Sequence, residues 1–112
     1  MNTTPKEIRE YLTEEGESPF RKWLKSLRDA NARAKIRVRL NKIRLGNLGD
    51  CKSVGSGVSE LRIDYGPGYR VYFGQDENEI IILLYGGDKK RQQKDIETAI
   101  SYWQDYKRRK DG

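Results

Sequence analysis

Five cations and a phenol in the second half of the chain are of the types that act on a phosphodiester: Arg62, Arg70, Lys89, Lys90, Arg91 and Tyr72. A guanidinium forks onto two phosphate oxygens, an ammonium adds a movable point charge, and a tyrosine hydroxyl can donate or pass a proton. The rest of the composition narrows the chemistry. The chain has no histidine and a single cysteine, Cys51. Ser-His-Asp and Cys-His pairs, histidine metal sites and histidine general bases are therefore excluded. So are a disulfide within these 112 residues and a cysteine zinc cluster. Any catalysis must use Lys, Arg, Tyr, Asp, Glu or atoms of the substrate.

Two alternating segments must position these side chains. In "SELRIDY", residues 59–65, Leu61, Ile63 and Tyr65 share one face while Glu60, Arg62 and Asp64 share the other. In "YRVYF", residues 69–73, Tyr69, Val71 and Phe73 oppose Arg70 and Tyr72. Gly66-Pro67-Gly68 between them reads as a three-residue hairpin loop. That loop predicts Tyr65 opposite Tyr69, Ile63 opposite Val71 and Leu61 opposite Phe73, with Asp64 meeting Arg70 and Arg62 meeting Tyr72 on the other face. "EIIILLY", residues 79–85, is the continuous apolar run expected of a central strand covered on both faces. Gly86-Gly87 is expected to turn tightly and bring Lys89, Lys90 and Arg91 beside the hairpin. Cations from three segments then converge on one concave surface, a plausible seat for a phosphodiester backbone. Lys52 and Arg37 are further candidates for nucleic-acid contact.

The helices precede and follow this sheet. "KEIREYL", residues 6–12, fits a short strand or a helix. "SPFRKWLKSLRD" offers Ser18 as N-cap and Pro19 at the first helical position, then Phe20, Trp23, Leu24 and Leu27 at helical spacing. Ala32, Ile36, Leu40 and Ile43 continue as a second helix ended at Gly46, making a helical hairpin. Its polar side carries Arg33, Lys35, Arg37, Arg39, Lys42 and Arg44. Ile96, Ala99, Ile100 and Trp103 mark a last helix that runs into Lys107–Lys110.

Each cation also has an ordinary structural account. Arg70 paired with Asp64 across the strands is worth about 0.2 to 1 kcal/mol. Tyr72 can be a plain strand aromatic, and the basic face of the second helix a solvated surface. The balance of 23 Lys plus Arg against 17 Asp plus Glu gives a net charge of +6, which suits a polyanion, nucleic acid or an acidic protein alike. The length fits a single domain, 1–112. "MNTTPKEIRE" has no apolar signal region and no run approaches the roughly 18 apolar residues that span a bilayer. The expectation is a cytoplasmic protein with no membrane contact.

Residues 52–99 carry a recognisable combination: "ELRI", "GPGYRVYF", "LLYGGDK" and "QQKDI" in that order. Together they resemble the RelE/ParE toxin superfamily of bacterial toxin–antitoxin modules, in particular its HigB-like branch of addiction module killer proteins. The resemblance implies an α+β fold: an antiparallel sheet with the N-terminal helical hairpin on one face, the catalytic groove on the other, and a C-terminal helix. It implies ribosome-dependent cleavage of mRNA without a metal or other cofactor, by attack of the RNA's 2′-hydroxyl on its own neighbouring phosphate. The family's strand arginine after "GY" matches Arg70. Arg62 takes the place of a basic residue on the preceding strand, and Lys89, Lys90 and Arg91 fall where a further cation occurs. RelE-type members carry a tyrosine in the first turns of the last helix, whereas this chain has Ile96 near that position, leaving Tyr72 and Tyr85 as candidates for its role.

The resemblance further implies a cognate antitoxin, of helix-turn-helix type, with operator DNA reached only through the complex, and the ribosome and its mRNA as targets. Two alternatives share the fold: a ParE-like toxin that poisons DNA gyrase without a nuclease site, and a degenerate toxin kept as an antitoxin-dependent DNA-binding partner. The basic cluster of Arg62, Arg70 and residues 89–91 favours RNA.

Overall fold

In the computed structural model, which describes residues 5–77 and 79–111, the elements follow the order β1 (Glu7–Glu10), α1 (Pro19–Ser26), α2 (Ala30–Arg44), β2 (Cys51–Gly55), β3 (Val58–Ile63), β4 (Tyr69–Asp76), β5 (Ile80–Asp88), a 3₁₀ turn (Lys89–Arg91) and α3 (Gln92–Asp111). The five strands form one sheet in the order β1-β5-β4-β3-β2. It is mixed rather than antiparallel, because β1 lies parallel to β5, with Glu7 beside Ile80 and Glu10 beside Leu83.

The helical hairpin forms as its caps dictate. Ser18 Oγ accepts from Arg21 N–H, Pro19 occupies the first turn where its missing donor costs nothing, and Asp29 caps α2 by accepting from Asn31 and Ala32 N–H. Phe20, Leu24, Ala32, Ile36 and Ile43 bury against Leu61, Ile63, Tyr69, Val71, Phe73, Ile81 and Leu83, the face the alternation assigns to the core. Gly46, at φ 95°, ends α2.

The opposite face is not open along its length. α3 lies across it, burying Ala99 and Trp103 against Tyr11, Val58, Tyr72, Ile82 and Leu84. Both faces of β4 and β5 are thus covered, as the apolar run 79–85 requires. No helix among the described residues is long and apolar enough to cross a membrane.

The β3–β4 hairpin is slipped by two residues from the predicted register. Ile63 pairs with Tyr69, Arg62 with Arg70, Leu61 with Val71 and Glu60 with Tyr72. Five residues, not three, make the loop, since Tyr65 leaves the sheet: its hydroxyl donates to Asp29 Oδ2 at 2.8 Å and Lys35 Nζ sits 5.1 Å from its ring centre. A two-residue slip preserves which side chains share a face but changes every partner. Asp64 therefore does not pair with Arg70, and Arg62 does not face Tyr72.

Two further expectations change. Gly86 and Gly87 continue β5 instead of turning. A Cβ on Gly86 would overlap the Trp23 ring and one on Gly87 would overlap the Asp95 carboxylate, so these glycines serve close packing rather than a bend. The strand β2 has no sequence period; it joins β3 through Ser56 and Gly57, both at positive φ, and a register shift between Ser53 and Gly55 breaks its alternation.

Candidate nucleic-acid interface

The end of the sheet that α3 leaves uncovered holds a polar groove of about 490 Å³, lined by Asp50, Arg62, Asp64, Gly66, Pro67, Gly68, Arg70 and Lys89. Three of the predicted cations meet there. Arg62 and Arg70 arrive as cross-strand partners on β3 and β4. Lys89 follows β5, and its backbone N–H donates to Gly68 O at 2.9 Å, which ties the hairpin loop to the 3₁₀ turn. Gly68, at φ 82°, keeps this corner narrow: a Cβ there would lie 3.4 Å from Arg70 Nη1 and 3.5 Å from Lys89 Cβ.

The cations differ in freedom. Arg62 reaches Asp50 Oδ1 at 3.1 Å with its side chain 38% exposed. Arg70 is buried, and its Nη1 donates to Tyr69 O at 3.1 Å. Lys89 is exposed, so the groove offers one anchored, one half-open and one mobile charge. A planar fork held in place beside an ammonium on a flexible stem is a suitable receptor for a phosphate group.

Other candidates lie elsewhere. Lys90 and Arg91 are exposed on the turn beside Lys89, where Asp88 caps the turn by accepting from Lys90 N–H at 2.9 Å. Lys52 is exposed on β2 as the cross-strand partner of Glu60. Arg37 projects from the flank of α2 away from Arg39, the residue that reaches Arg62 O at 2.7 Å, and α2 packs on the other face of the sheet. The structure does not bring Arg37 to the groove.

Tyr72 is a correction. It is fully buried, its hydroxyl donates to Glu60 Oε2 at 3.2 Å, and burial together with that carboxylate raises its pKa well above the usual phenol range. It lies beneath the groove and does not line it. Tyr85 packs edge-on against Tyr102, and Ile96 is partly buried in the α3 core, so neither presents a group to the groove.

Sequence reading missed Glu60 and Gln92. Glu60 is fully buried between β4 and α3, where Gln92 Nε2 donates to its Oε2 at 2.8 Å. Alternation put Glu60 on the face of Arg62, but only the path of α3 buries it. Asp95 is buried too, and desolvation raises its carboxyl above the usual range.

A family model described as phage derived protein Gp49-like (DUF891) matches residues 22–103, which include the whole of α2, β2–β5 and the groove. A Haemophilus influenzae protein, itself described only as uncharacterized, is 50% identical over 80 residues, covering 71% of this chain and 81% of that protein. The family match spans every residue that lines the groove, and the chain belongs to the phage-derived Gp49-like (DUF891) family, a RelE-like family of toxin–antitoxin toxins.

Proposed function

We propose that this protein is the toxin of a type II toxin–antitoxin module and acts as a metal-independent, ribosome-dependent mRNA endoribonuclease, silenced by a cognate antitoxin of helix-turn-helix type. One observation carries the reading: Arg62, Arg70 and Lys89, from three separate segments, line one groove. The scissile phosphate sits among them. The 2′-hydroxyl attacks phosphorus, the P–O5′ bond breaks, and a 2′,3′-cyclic phosphate remains on the upstream fragment. Arg70 and Arg62 stabilise the charge that grows on the equatorial oxygens, and Lys89 gives a proton to the leaving oxygen. With arginine too basic to accept a proton, the acceptor is a rim carboxylate. Asp50 is engaged by Arg62, which leaves Asp64 for that task.

The gyrase-directed reading has one observation in its favour. Ile96 packs into the core, so α3 offers the groove no tyrosine in its first turns. Induction followed by pulse-labelling separates the two, with protein synthesis stopping first for an mRNase and DNA synthesis first for a gyrase poison. Asp64→Asn should lower ribosome-stimulated cleavage about 10²- to 10⁴-fold, the usual worth of a general base, with little change in melting temperature. Arrest of DNA synthesis alone, with mRNA intact by primer extension, would overturn the nuclease reading.

A further inference from the structure

We infer that Glu60 is a positioning residue whose buried carboxylate aims the Arg70 guanidinium into the groove. The inference rests on the proposed phosphate-binding role of that groove. Glu60 has no solvent exposure, yet only one of its oxygens is satisfied: Oε2 accepts from Tyr72 Oη at 3.2 Å and from Gln92 Nε2 at 2.8 Å. Oε1 is buried without a hydrogen bond and stands 3.8 Å from Arg70 Nε, which is likewise buried and without one.

Two orphaned polar atoms of opposite charge therefore face each other, too far apart for a hydrogen bond and near enough for a strong Coulomb attraction in a dry setting. A carboxylate buried this way is destabilising unless its charge is compensated, and among the described residues Arg70 is the only cation paired with it. The two clamps come from different layers: Tyr72 from β4 and Gln92 from the first turn of α3. They fix the carboxylate, while Tyr69 O fixes Nη1 on the other side of the guanidinium. Arg70 is thus gripped from behind, and what remains of its fork lines the groove. Arg62, held only by the exposed Asp50 among the described side chains, has no such support.

The test uses the full chain and inorganic phosphate, with the arginine Nε–H signals followed by nuclear magnetic resonance. In the wild-type protein Arg70 should give a distinct, slowly exchanging Nε–H signal that shifts as phosphate is added. In Glu60→Gln, with the backbone spectrum retained, that signal should move to the solvent-exposed arginine position and phosphate should bind about tenfold more weakly, the worth of one charge-assisted contact. Tyr72→Phe, which keeps the ring and both charges, should shift the same signal in the same sense and serves if Glu60→Gln does not fold. An Arg70 signal unchanged in the folded variants overturns the inference, whatever phosphate does. If the signal responds to both substitutions but phosphate binds none of the proteins, the positioning stands and the functional reading of the groove fails instead.

Discussion

Arg62 and Arg70 stand directly opposite one another across β3 and β4. Like charges in that relation weaken a sheet, and among the described residues their acidic partners are unequal: exposed Asp50 for one, buried Glu60 for the other. Under the proposed function, this pair of cations held together by the backbone receives the phosphate.

Anion binding should therefore stabilise the fold. An RNA oligonucleotide at 100 times its Kd adds about 2.7 kcal/mol, on the order of 10 °C in melting temperature for a chain of this size. Replacing Lys89 and Lys90 by alanine should flatten the dependence of log K on log salt by about 0.7 for each phosphate that these lysines neutralise. Binding indifferent to salt would remove the phosphate-contact account.

Arg70→Ala should abolish toxicity and also lower stability. Its side chain is 10% exposed and its removal strands a Glu60 carboxylate that water does not reach, at a cost of about 3 to 5 kcal/mol. Alternation puts Arg70 off the apolar face, yet the side chain is buried there beside Glu60, so its removal costs stability. Lys89→Ala, on an exposed turn, should lose activity with little change in melting temperature. Equal denaturation curves for wild type and Arg70→Ala would contradict the buried pair.

Gly86→Ala and Gly87→Ala should each destabilise by roughly 1 to 3 kcal/mol or more, the range for overpacking. The first drives a methyl into the Trp23 ring and the second into the Asp95 carboxylate. Trp23 fluorescence should report the first substitution and leave the second nearly silent. Unchanged urea midpoints would mean that β5 can shift to admit a side chain.

Acid should loosen the attachment of α3. Asp76, held below the usual carboxylate range chiefly by its hydrogen bond from Lys110, also accepts from Tyr106 at 2.7 Å. Asp105, lowered chiefly by the Tyr11 hydroxyl at 2.7 Å, ties the same helix to the chain after β1. A carboxyl whose folded pKa is depressed stabilises above its unfolded value near 4 and loses that contribution as the pH falls through the folded one. Asp95 acts in reverse, since burial raises its pKa and stability falls as it ionises. Melting temperatures from pH 7 to 2 should drop less steeply in an Asp76→Asn, Asp105→Asn double variant, and equal slopes would exclude these two aspartates as the source.

Much of the fold was legible because it follows local rules. Ser18-Pro19, the spacing of Phe20, Trp23, Leu24 and Leu27, and the two-residue alternation of 59–65 and 69–73 each specify an element or a face. Faces survived even where the register failed, because the slip was by two. What was hidden is non-local. Tyr65 prefers Asp29, far away in sequence, to its place in the strand. Gly86 and Gly87 look like turn residues until Trp23 and Asp95 arrive. The groove's three cations could be named from pattern and chemistry, whereas the buried Glu60 and Gln92 behind them depend on where α3 crosses, and no local signal carries that.

The parallel pairing of β1 with β5 has a consequence for synthesis. β1 must wait for β5, the last strand of the sheet, before it can pair, and β5 must be complete before Lys89, which follows it, reaches Gly68. Long-range closure of this kind is slow relative to local helix formation. A chain that still lacks β5 thus lacks both the partner of β1 and Lys89, so the groove is assembled only once the last strand of the sheet is in place.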